Sequence, residues 1–132
     1  MKKTLLLLAV TAILLNPAAA KVMGQNTEQL PPGCESISGT ANVTIQAGTE
    51  HAEQFPSKMY TYSDRKMQFD PCTKLTVTFI NNDSIRHQWM VHGLPKDTYK
   101  MGMFMLEVTG PGKDTGTFIL PAEDESLMIH CG

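Results

Sequence analysis

Residues 74–92 read KLTVTFINNDSIRHQWMVH. The first half alternates: Leu75, Val77 and Phe79 are apolar while Thr76 and Thr78 are not, which is the period of a strand with one buried face. The polar cluster Asn81-Asn82-Asp83 is a turn signal, and a second strand is expected over His87–His92. Side-chain parity then places His87, Trp89 and Val91 on one face and Gln88, Met90 and His92 on the other. Trp89 and Val91 are the residues that want burial, so His87 is expected to point inward with them. A lone histidine on an apolar face is more often a satisfied core residue than a ligand. A second soft donor arriving at the same place would change that balance.

The same alternation recurs on both sides of this stretch. Ala41, Val43, Ile45 and Ala47 alternate with Asn42, Thr44 and Gln46, a clear strand pattern. Shorter strands are expected at Lys66–Asp70, Leu106–Thr109, Thr115–Leu120 and Leu127–Cys131, divided by turn signals such as GLPKD, GPGKD and PAEDE. A helical turn has its best chance between Gly48 and Ser63, where no clean alternation exists. Many short strands with hardly any helix predict an all-β Greek-key sandwich or barrel.

The N-terminus has the three parts of a secretory signal: basic Met1-Lys2-Lys3, an apolar stretch from Leu5 to Leu15, and Ala18-Ala19-Ala20 as a small-residue cleavage site. Residues 1–20 are therefore expected to be removed. The apolar stretch is short for a membrane span of about 20 residues, so no membrane insertion is expected after cleavage. Residues 21–33, KVMGQNTEQLPPG, are polar and broken by Pro31, Pro32 and Gly33, which predicts a flexible leader before a domain at 34–132. Cleavage takes away Lys2 and Lys3 and no acid, moving the formal charge from −2 to −4. No basic tract remains to release counterions from phosphates, which argues against nucleic acid and against an anionic membrane surface as partners.

Beyond the signal the chain carries Cys34, Cys72 and Cys131. An odd count in an oxidising compartment leaves one thiol for other work. A Cys34–Cys72 staple is the preferred pairing, worth about 3 to 4 kcal/mol on the chain-entropy model, with other pairings still open at this point. In the run LMIHC, Leu127, Ile129 and Cys131 share a face and Met128 and His130 share the other, so Cys131 is expected to point inward like His87. An inward imidazole and an inward thiolate at strand ends begin a type 1 copper site, in which a long axial thioether completes a trigonal arrangement. A buried, inert thiol is the alternative.

These residues resemble a family. RHQWMV (86–91) looks like the histidine-bearing strand of azurin and other cupredoxins, and LMIHC (127–131) like the strand that delivers their copper cysteine. CESISGTANVTIQ and KMQFDPCTKLTVTF are similar to the first strands of azurin with their disulfide, a resemblance that supports pairing Cys34 with Cys72. AEQFPSKMYTY, NNDSIRHQWMVHGLP and GTFILPAED resemble the small periplasmic cupredoxins associated with bacterial copper tolerance. The resemblance implies a periplasmic protein that binds Cu(I) and Cu(II) through His87 and Cys131, with one-electron redox chemistry and a redox or copper-trafficking partner. Cupredoxins follow the copper cysteine with a second histidine, an axial methionine and one more strand. Here the sequence ends at Gly132, so a truncated domain lacking that last strand is expected.

Other functions compete with this one. An electron carrier for a respiratory or oxidase partner would use the same fold, and a metal-free binding module would need no ligands at all. A copper oxidase is disfavoured, because the four histidines, His51, His87, His92 and His130, offer no second copper cluster beyond the faint HQWMVH. Hydrolase elbows, Cys-x-x-Cys and phosphate-binding glycine loops are absent from the sequence. Met101, Met103 and Met105 alternate in YKMGMFMLE and would line one side of an extended chain, which suggests a secondary Cu(I) site or ordinary gap-filling.

Overall fold

The computed structural model describes residues 19–48, 61–62 and 67–130. Within them the chain is all-β, with strands β1 (Ala19–Met23), β2 (Gly39–Gly48), β3 (Thr61–Tyr62), β4 (Thr73–Asn81), β5 (Arg86–His92), β6 (Met103–Thr109), β7 (Gly112–Ile119) and β8 (Met128–His130). They form two four-stranded sheets, ordered β1-β6-β5-β8 and β3-β2-β4-β7, which are not closed into a barrel. The pairings are antiparallel except between β2 and β4, which run parallel from Gly39 beside Thr73 to Ala47 beside Asn81.

Alternation of residue type becomes alternation of burial. In β4 the odd-numbered residues Thr73, Leu75, Val77, Phe79 and Asn81 are buried and the even-numbered ones are half-buried. In β5 His87, Trp89 and Val91 are buried, as parity predicts. Leu75, Val77 and Phe79 of β4 and Trp89 and Val91 of β5 meet Phe104, Leu106 and Val108 of β6, Phe118 of β7 and Ile45 and Ala47 of β2 in one inter-sheet core. At its centre the Phe104 and Phe118 rings stack at 4.4 Å between centroids, and Trp89 meets Phe104 edge-on at 6.2 Å, geometries that add about 0.5 to 1.5 kcal/mol per pair beyond area burial. The two layers pack closely at Gly116. A Cβ there would lie 2.8 Å from Phe104 Cζ, 3.0 Å from Leu106 Cδ2 and 3.1 Å from Val22 Cγ1.

The staple Cys34–Cys72 is formed, with Cα atoms 5.8 Å apart. It sits where β2 and β4 both begin. Ser38 N donates to Cys72 O and Ser38 Oγ to Pro71 O, so the parallel register starts from a fixed point. Tyr99 forms a second anchor. Its buried hydroxyl donates to Ile119 O and accepts from Ile119 N and from Asn26 Nδ2, tying β7 to the loops after β1 and β5. Burial pushes the Tyr99 phenol above its ordinary value, with the bonds to Ile119 and Asn26 opposing it.

Several expectations shift. Residues 21–33, expected as a flexible leader, include the last three residues of β1, paired with β6 from Lys21 beside Glu107 to Met23 beside Met105. The loop that follows is held by Asn26, whose backbone N donates to Thr117 O and whose Oδ1 accepts from Gln29 N. The strand expected over Lys66–Asp70 is not one in its described part. Met67 and Phe69 pack against the core and Gln68 and Asp70 are exposed, but this segment joins neither sheet. β6 and β7 both start three residues earlier than the apolar pattern indicates. The stretch between Gly48 and Ser63, where a helical turn is expected, lies largely outside the described residues.

Candidate metal centre

His87 is the second residue of β5, and its ring is 1% exposed. It is placed by the turn before it. Asn81, the last residue of β4, is itself buried and donates from Nδ2 to Ile85 O at 2.6 Å and to Val108 O at 2.8 Å, while its Oδ1 accepts from Asp83 N at 2.8 Å. A single amide thus folds the turn onto β6, whose Val108 is the residue opposite His87. Asn82 N adds a bond to Ala47 O at the end of β2. The result delivers the Asp83 carboxylate to His87 Nε2, which donates to Asp83 Oδ2 at 2.6 Å. Short range and charge make this a strong hydrogen bond, and it sets both tautomer and ring orientation.

Cys131, the expected second donor, lies outside the described residues, as does His51. β8, which leads to Cys131, is placed: it runs antiparallel to β5, from Met128 beside His92, through Ile129 beside Val91, to His130 beside Met90. It therefore adjoins the strand that carries His87 and runs toward its His87 end. Among the described residues no group of three or more His, Cys, Asp or Glu side chains is placed to hold a metal ion.

The three alternating methionines do not share a strand. Met101 belongs to a single 3-10 turn, Lys100–Gly102, has φ +62° and is 68% exposed, whereas Met103 and Met105 are in β6. Met90 and His92 lie on the face of β5 opposite to His87, as parity requires.

Between the sheets, on the side of β8, a cleft of about 330 Å³ is lined by Trp89, Val91, Phe118, Leu127 and Ile129. Trp89 Nε1 is buried with no hydrogen-bond partner among the described residues. The Asp83–His87 pair and the Asn81 clamp were not foreseen from sequence. NND announces a turn, but which of its polar side chains turns inward depends on the β6 backbone that receives Asn81. No protein-family model, no curated protein and no solved structure matches this chain.

Proposed function

We propose that the protein is an exported, periplasmic copper-binding cupredoxin, a Greek-key sandwich whose role is copper tolerance or homeostasis. The observation that carries this is the buried His87 ring, on the strand that β8 pairs with and held by a carboxylate on Nε2. Metal-ligating imidazoles commonly donate their second N–H to such a partner, which fixes the ring and raises its basicity. Cys131 would supply the thiolate, and imidazole with thiolate suits both Cu(I) and Cu(II). Copper held there supplies one-electron redox chemistry, and no catalytic turnover is assigned to it.

An electron carrier would present an apolar docking patch beside the metal. A protein that sequesters or delivers copper needs no single docking surface. The cleft beside Trp89 favours a second reading, a metal-free module that takes a small apolar ligand.

Addition of Cu(II) to the mature protein tests the proposal. A visible thiolate-to-copper charge-transfer band that is lost in Cys131→Ser and in His87→Ala is the expected result. A colourless protein that retains no copper after gel filtration overturns it. Copper sensitivity of a deletion strain separates tolerance from electron transfer.

A further inference from the structure

The sheet β1-β6-β5-β8 has an outer face that is not an ordinary solvated surface. Strand register aligns side chains there in two rows. Met23, Met105 and Met90 are successive cross-strand partners on β1, β6 and β5, and Met103, His92 and Met128 are successive partners on β6, β5 and β8. Five thioethers and an imidazole thus fall on one face of four strands.

Their burial is unusual for that face. Met105 is 4% exposed although its neighbours Phe104 and Leu106 are the residues that enter the core. Met23, Met90, Met103 and His92 are half-buried, and His92 Nε2 is shielded from solvent. The polar residues of the face, Gln88, Arg86 and Glu107, gather nearer the start of β5. There Gln88 Nε2 donates to Glu107, and Arg86 lies 3.8 Å from the same carboxylate. The methionine end is left to soft donors.

We infer that Met90, Met105, Met103 and His92 form a second metal site, selective for a soft monovalent cation of the Cu(I) type, on the side of β5 opposite to His87. Cross-strand partners Met90–Met105 and His92–Met103 mark the corners of a rectangle about 5 Å by 7 Å at Cβ. Side chains with donor atoms two or three bonds beyond Cβ can meet a single ion over its centre. Thioether sulfur prefers Cu(I), and one imidazole among three thioethers is a poor set for Mg(II), Ca(II) or Zn(II). Met101, in its exposed left-handed turn, is outside the site. The competing account is that these methionines only fill space, which their flexibility suits them to do.

The test uses the mature chain carrying Cys131→Ser, so that the thiol is gone and Cys34 and Cys72 remain bonded to each other. Silver(I), a redox-inert stand-in for Cu(I), is titrated in chloride-free buffer while the methionine methyl resonances are followed by NMR. Saturation at one equivalent is expected, with the Met90, Met103 and Met105 methyls shifting together, Met101 unmoved and zinc(II) without effect. A Met90→Leu/Met105→Leu double variant, close to volume-conserving, loses that equivalent while keeping its far-ultraviolet dichroism. Absence of any methyl shift in the parent overturns the site, as does a shift of Met101 equal to the others, or a double variant that titrates like the parent. Copper at His87 and Cys131 is read separately, from the Cu(II) colour of the unmutated chain, so either site can fail without the other.

Discussion

His87 donates its Nε2–H to the carboxylate of Asp83 across 2.6 Å, four residues back along the chain and on the far side of a turn. Because the ring is buried, deleting the carboxylate leaves a polar N–H without compensation. Asp83→Ala is expected to cost about 1 to 3 kcal/mol in denaturant unfolding, and Asp83→Asn, which keeps an acceptor oxygen, less than that. If His87 binds copper, the alanine variant also binds it about 10 to 100-fold more weakly in competition titrations. Unchanged stability in Asp83→Ala would mean that the bond contributes nothing.

Tyr99 makes a different kind of junction, with three hydrogen bonds at a single oxygen. Tyr99→Phe leaves Ile119 N, Ile119 O and Asn26 Nδ2 without that partner, and a loss of about 1 to 3 kcal/mol is expected. The raised pKa gives the wild type a matching alkaline signature. An unfolded tyrosine ionises near pH 10, whereas the folded one holds its proton to higher pH, so the folded state binds more protons over that window. The stability this group contributes is therefore complete below about pH 10 and is lost as the pH rises through the folded value. Unfolding midpoints measured on either side of pH 10 should fall with pH in the wild type, with a shallower slope in Tyr99→Phe.

Gly116 sits where β7 packs tightly against the facing sheet. Gly116→Ala would press a methyl group onto Phe104, Leu106 and Val22, all within 3.1 Å of the new Cβ, and overpacking of this kind costs about 1 to 3 kcal/mol. A shift in the thermal midpoint reads it. Phe104→Leu made in the same chain should recover part of the loss, because it removes the atom nearest the clash.

The Cys34–Cys72 bond closes the loop that contains β2 and β3. Replacing both cysteines with serine is expected to lower stability by about 3 to 4 kcal/mol, measured by denaturant unfolding without reductant. An equal midpoint for the two forms would show that the bond is redundant with the β2–β4 ladder.

Sequence revealed those parts of the fold in which one face of a strand differs chemically from the other. β4 and β5 carry clean alternation, and the inward side of His87 follows from Trp89 and Val91 alone. β1 was hidden because Lys21, Val22 and Met23 are too few to show a period and directly follow the alanines of a cleavage signal. β7 begins unseen because Gly112 and Lys113 have no apolar signature, and only their pairing with Asn81 and Ile80 makes them strand. Met67 and Phe69 show the converse, since alternating burial arises there in a segment that belongs to neither sheet. Of the candidate centre, the orientation of His87 was legible and its carboxylate was not. The outer methionine cluster was half visible as Met103 and Met105, while Met23 and Met90 join them only through cross-strand register.

The pairing of β1 with β6 also sets an order in time. Val22 lies beside Leu106, so a chain emerging N-terminus first carries its opening strand without a partner until most of the remaining sequence has appeared. Topologies dominated by such distant pairings fold in about milliseconds to seconds, slowly beside helical proteins of similar size. Until then the unpaired backbone of β1 stays open to other chains, and a chaperone that shields it during this interval would raise the yield of native protein without touching its final stability.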